Sequence, residues 1–125
     1  MDVNRPEQPP GPGDAQTPAE LLARLGELRQ WAGRPSLRRL RQLGGQVRTP
    51  SGDLVDALPP STVSYLLRGE QLPRLDFVEA FVAACLRARG TAPDAITAAV
   101  AEWQRAWRTA DASGIQTHGG EPAER

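Results

Sequence analysis

The chain has 125 residues, enough for one domain plus tails, and its fifteen basic residues are matched by fifteen acidic ones. That balance excludes a protein-wide field drawing the molecule onto nucleic acid or membrane, and the single cysteine, Cys85, excludes an internal disulfide framework. No apolar run approaches the ~20 residues a bilayer span needs, so a soluble cytoplasmic protein without membrane contact is expected, nucleoid-associated if it binds DNA.

Charge is unevenly distributed. Every basic residue is Arg and none is Lys, a bias that fits GC-rich codon usage, so arginine by itself is weak testimony for phosphate binding. Residues 34–74 nevertheless hold seven Arg against Asp53, Asp56 and Glu70, while both flanks are net acidic. The basic excess is therefore local to the middle of the chain.

Residues 1–16 contain four prolines and three acids with almost nothing to bury. They lack the apolar stretch of a secretory signal and read as a disordered arm, because ordering costs roughly 1–2 kcal/mol per residue. The domain is expected over 17–111, followed by a second disordered tail at 112–125. Thr17-Pro18-Ala19-Glu20 combines an N-cap, a proline at the first helical position and an acid at N3. Leu21, Leu22, Leu25, Leu28 and Trp31 then follow helical spacing until Gly33 and Pro35 stop the run. A short second helix is predicted from Ser36, with Leu37, Leu40 and Leu43 at three-residue intervals and Gly44-Gly45 as its end.

An insert follows at 46–58, centred on the turn-forming Thr49-Pro50-Ser51-Gly52-Asp53 and flanked by Val47, Leu54 and Val55. Periodicity leaves a small hairpin and a plain loop both open. A third helix is predicted from about Pro60 or Ser61 to Arg68, opened by the prolines and Ser61, with Val63, Leu66 and Leu67 inward. A fourth begins near Leu75 or Asp76, where Asp76 and Glu79 make a capping-box-like pair, and ends at Gly90. A fifth follows Thr91-Ala-Pro93-Asp94, carrying Ile96, Val100, Trp103 and Trp107 at spacings of four, three and four. The expected architecture is all-α and compact, with five helices around one core.

Helix three is the most informative element. One side is apolar, while the other offers Thr62, Ser64, Tyr65 and Arg68 to solvent, which is how a recognition helix is presented to a DNA groove. Ser36-Leu-Arg-Arg-Leu40, Ser61-Thr-Val-Ser-Tyr-Leu-Leu-Arg-Gly69 and Leu72-Pro-Arg-Leu75 together resemble the lambda-repressor-like, Xre-type helix-turn-helix family, over roughly Thr17 to Ala110. The resemblance implies that helix two crosses the DNA backbone and helix three enters the major groove. On this pattern Ser61, Thr62, Ser64 and Tyr65 would face the bases. Ser36, Arg38, Arg39 and Arg68, with Arg48 from the insert, would meet phosphates. The chain departs from the family in three ways. The thirteen-residue insert replaces a tight turn, Arg41 stands where a small alanine is expected, and Pro60 stands where an adenine-reading Gln is common.

Catalysis has little support in the residues. His118 is the only histidine and has no Cys or second His nearby, so neither a metal cluster nor a Cys-His pair is expected. Asp53 and Asp56 read as surface acids, and no glycine run has the Lys and strand–loop–helix setting of a phosphate cradle. A non-enzyme without cofactor is expected. Two functional classes remain: a transcriptional regulator that binds double-stranded DNA as a homodimer, and a protein-interaction adaptor on the same fold. Trp103 and Trp107 read first as residues that pack helix five on the core; the alternative makes them the candidate dimer or partner surface, joined in the adaptor by the inserted loop.

Overall fold

The computed structural model describes residues 9–68 and 72–119. Along these the chain forms α1 (Pro18–Trp31), α2 (Leu37–Gly44), β1 (Gln46–Arg48), β2 (Leu54–Asp56), α3 (Pro60–Leu67), α4 (Leu75–Ala88) and α5 (Pro93–Gly119). The protein is mostly helical, with one small two-stranded sheet.

The first helix starts where its capping residues require. Thr17 Oγ1 accepts from the Glu20 amide at 3.2 Å, and Glu20 Oε1 accepts in return from the Thr17 and Gln16 amides. At its other end Gly33 adopts φ +94° and the Arg34 amide folds back onto the Arg29 carbonyl at 2.9 Å. The Arg29 guanidinium then grips the Pro35 carbonyl at 2.9 and 3.1 Å, which fixes the step from α1 into α2. Ser36 caps α2, its Oγ accepting from the Arg39 amide at 3.0 Å.

Helix α4 is the axis of the core. Phe77, Val78 and every residue from Phe81 to Leu86 are buried, and α1, α2 and α5 all pack against it. Its apolar residues are too dense for one face because three neighbours need them. Two arginines at its end reach across: Arg87 Nη1 donates to the Leu43 carbonyl of α2 at 2.9 Å, and Arg89 Nη1 to the Trp31 carbonyl of α1 at 2.6 Å. Both serve carbonyls in the last turns of helices, where helical partners run out. The Arg89 guanidinium also lies 4.4 Å from the Trp31 ring centre.

Three sequence expectations differ from what is observed. Asp76 and Glu79 do not cap α4: the N-cap position is Arg74, without a side-chain cap, Asp76 pairs with Arg74 at 3.5 Å, and Glu79 accepts from Gln104 of α5. The cap fails because Arg74 already holds the extended cap geometry two residues earlier. Helix α5 continues past Asp111 to Gly119, where composition suggested a tail. Packing also begins before Thr17, since Ala15 is 6% exposed within the core on a turn closed by its amide and the Pro12 carbonyl. Trp103 and Trp107 face inward, which is the core reading of the two that the sequence offered. Trp103 is 1% exposed, and half-buried Trp107 donates Nε1 to the Pro73 carbonyl at 2.8 Å, so one chain already uses the surface expected of them.

Candidate nucleic-acid interface

The insert decides whether α2 and α3 can act as a pair. It is a β-hairpin: β1 and β2 run antiparallel with Gln46 opposite Asp56, Val47 opposite Val55 and Arg48 opposite Leu54. Its turn is closed by the Thr49 amide on the Asp53 carbonyl at 2.8 Å and the Gly52 amide on the Thr49 carbonyl at 2.9 Å, with Gly52 at φ +96°. At its base the Ala57 amide donates to the Gly45 carbonyl at 2.9 Å. The chain thus leaves α2 and returns toward α3 at nearly the same point. Removed in thought, the hairpin leaves Gly45 and Ala57 in contact, followed by Leu58 and Pro59, a connection as short as an ordinary helix-turn-helix turn.

Leu58 anchors that turn. It is fully buried and lies against Gly44, close enough that a Cβ on Gly44 would come within 2.8 Å of its Cγ and Cδ1. A glycine at the end of α2 is what lets the returning chain approach so closely. Arg41, where a small residue was expected, does not enter the helix–helix contact. Its side chain is about half exposed and its Nε meets Asp56 Oδ2 at 2.9 Å, tying α2 to the hairpin.

Helix α3 starts at Pro60, the earlier of the two starts that the sequence left open. The Pro59 carbonyl accepts the first helical bond, from the Val63 amide at 3.0 Å, and Pro60 is the first helical residue. Ser61 and Thr62 are therefore first-turn residues and not the cap. Val63 and Leu66 are fully buried against the core, Ser61 is exposed, and Thr62 and Ser64 are half-buried. The Tyr65 side chain lies outside the described residues. Arg68 follows the helix in an exposed position, its amide bonded to the Ser64 carbonyl at 3.1 Å.

Of the expected phosphate contacts, Arg38 and Arg39 are exposed on α2 directly after exposed Ser36. Their neighbours are the first-turn amides of α2, which lack helical acceptors by geometry. Arg48 is also exposed, but Nη1 is held by the Gly52 carbonyl at 2.7 Å, so part of its guanidinium serves the hairpin turn. Ser36, Arg38, Arg39, Ser61, Thr62, Ser64 and Arg68 thus come from two helices joined by the shortened connection, with Arg48 standing off on the hairpin.

Sequence reasoning passed over one feature. A groove of about 900 Å³ runs between the hairpin, the first turn of α3 and the start of α4, with Thr62, Arg74 and Phe77 among its lining. Val47, Leu54 and Val55 also line it and are 50, 56 and 42% exposed. The alternation of Val47 and Arg48 against Leu54 and Val55 about a turn was the available signal, but three-residue strands are too short for period-two patterning to separate them from a loop.

Among the described residues no three His, Cys, Asp or Glu come together as metal ligands, and no helix is long and apolar enough to cross a membrane. Cys85 is buried in α4, and burial pushes its thiol up to about 12, against a smaller opposing pull from Arg29. Comparison with protein-family models, with curated proteins and with solved structures gives no match.

Proposed function

We propose that this protein is a lambda-repressor-like helix-turn-helix DNA-binding regulator, with α2 across the backbone and α3 in the major groove. One observation carries the reading: the Gly45–Ala57 contact at the hairpin base, which shortens a thirteen-residue insert to the connection a helix-turn-helix pair needs. Ser61, Thr62, Ser64 and Tyr65 are the base-reading residues of this proposal, while Ser36, Arg38, Arg39 and Arg68 hold phosphates and Arg48 adds a contact from the hairpin. Support also comes from α3 itself. Ser61 and Thr62 are not consumed as caps, and the buried Val63 and Leu66 turn the polar side of the helix away from the core.

The test is binding of the full chain to duplex DNA across a salt series, read by fluorescence anisotropy. Four Arg–phosphate contacts release about four counterions, so log K should fall against log salt with a slope of about −3 to −4. Arg39→Ala and Arg68→Ala should each flatten that slope by about one and weaken all sequences alike. Ser61→Ala, Thr62→Ala or Tyr65→Ala should instead relax a preference obtained by selection from a random duplex pool. Absence of binding at low salt defeats the proposal. The apolar exposure of Val47, Leu54 and Val55 favours a second reading, a non-catalytic protein-interaction module that keeps the same fold. On that reading DNA binding is absent and charge reversal at Arg38 and Arg39 changes nothing.

A further inference from the structure

The hairpin is fastened to the helices at its base, through the Gly45–Ala57 bond, the Arg41–Asp56 pair and buried Leu58. Beyond that base Val47, Leu54 and Val55 stay in water, although a two-stranded sheet is marginal unless something packs on it. Between the strands and α4 lies the groove of about 900 Å³. Its walls come from four stretches of chain: the hairpin, Pro59 and Thr62 around the start of α3, Leu72 to Arg74, and the Asp76–Ala80 part of α4. Converging walls make a concavity and not a flat face. The volume falls within the range of small-molecule sites, about 300–1,000 Å³.

The chemistry of the walls selects the occupant. Val47, Val55, Leu72, Phe77 and Ala80 supply apolar surface. The charged groups of the lining are answered within the chain: Arg41 Nε by Asp56 Oδ2 at 2.9 Å, and Arg74 Nε by Asp76 Oδ1 at 3.5 Å. Two cations meet two carboxylates, so no uncompensated charge is left to hold an ion. One polar group is left over. Thr62 is half-buried, and its hydroxyl takes part in no hydrogen bond among the described residues. We infer that the groove binds a small uncharged aromatic molecule, its ring between the hairpin valines and α4 and a single polar group on the Thr62 hydroxyl. Such a ligand supplies the packing surface that Val47 and Val55 lack, and a rigid ring gains that apolar area at the least cost in ordering. The inference rests on the groove alone and does not depend on DNA binding.

The experiment titrates N-phenylnaphthylamine, an uncharged aromatic amine that brightens in apolar surroundings, with the full chain. One dye per chain should bind, with a dissociation constant on the order of 10 µM. Ala80→Leu adds bulk to the groove at a half-buried site; it should keep the native circular dichroism and raise that constant about tenfold or more. Val55→Asn, at a site already 42% exposed, should raise it about threefold or more by removing apolar wall. Thr62→Val keeps the shape and removes the hydroxyl. It should weaken the amine about threefold and leave naphthalene, measured by displacement, unchanged. The sulfonated analogue, anilinonaphthalene sulfonate, should bind no more tightly than the amine, since both arginines are already paired. Absence of a saturable signal up to about 100 µM chain overturns the inference, as does binding indifferent to Ala80→Leu and Val55→Asn. A tighter sulfonate overturns it too, because the arginines would then set the ligand class. So does a signal per chain that falls as concentration rises, which assigns the groove to a second copy.

Discussion

Gly44→Ala tests the joint on which the helix pair depends. An alanine Cβ here would lie 2.8 Å from Leu58 Cγ and Cδ1 and 3.3 Å from its Cβ, where carbon pairs prefer about 3.5–4.0 Å. Leu58 is fully buried and has no solvent side to retreat to. Overpacking of this kind costs about 1–3 kcal/mol. Against it stands the helix propensity of Ala over Gly, up to about 1 kcal/mol in a helix interior and less at the last residue of α2. The net expectation is destabilisation of about 1–2 kcal/mol, or a fall in Tm of roughly 4–8 °C per kcal/mol for a domain of this size. The partner substitution separates this cause from general damage. Leu58→Ala alone should cost about 2–5 kcal/mol by leaving a cavity, and in that background Gly44→Ala should be neutral or stabilising, because its methyl enters vacated space. Urea unfolding of the four chains, followed by circular dichroism, gives the cycle. If Gly44→Ala raises stability in the wild-type background, or the two effects simply add, the close approach of α2 to the returning chain is not as described.

Three further outcomes follow from the core. Cys85 should resist alkylation in the native state and react only on unfolding, since burial holds its thiol at about 12 where the ordinary value is 9.0. The folded value is the higher one, so the unfolded chain gives up this proton first. Stability from this group is whole below pH 9 and declines as pH rises towards about 12, by up to about 1.4 kcal/mol per pH unit. Urea midpoints measured from pH 8 to 10.5 should therefore fall more steeply for the wild type than for Cys85→Ala, and equal slopes would contradict the assignment. Trp103→Ala should cost about 3–5 kcal/mol, enough to unfold much of the population at 37 °C, whereas Trp103 acting as an exposed docking residue predicts almost no loss. Trp107→Phe keeps the ring but leaves the Pro73 carbonyl without its 2.8 Å donor, and thermal melts should register about 1 kcal/mol.

Much of the chain was legible in order. Thr17 and Glu20 announced α1 because a capping box is a local device whose partners lie three residues apart. Leu40, Val63, Leu66 and the Phe77–Leu86 run were readable as core because helical spacing puts them on the sides that later pack. Local signals failed where two equivalent local solutions competed. Asp76 and Glu79 had the right spacing to cap α4, yet Arg74 took the cap position and Glu79 was drawn to Gln104 on another helix. For α3 the prolines and Ser61 left the start open between Pro60 and Ser61, and the bond from the Val63 amide to the Pro59 carbonyl places it at Pro60. In Trp103 and Trp107 helical spacing pointed to the core first and to a partner surface second, and packing of α5 on α4 with the Pro73 carbonyl bears out the first.

The sequence by itself determined the capped starts of α1 and α2, which residues are apolar enough to be buried, and where basic charge accumulates, because those properties belong to neighbours within a few positions. Tertiary structure alone decided that the insert is a hairpin whose ends meet at Gly45 and Ala57, that Arg41 pairs with Asp56, and that β1 carries an open edge. The first two join residues ten or more positions apart. No local propensity encodes such a contact; it forms only when Leu58 is buried against α2 and the cost of closing the loop is met by the packing of the whole core.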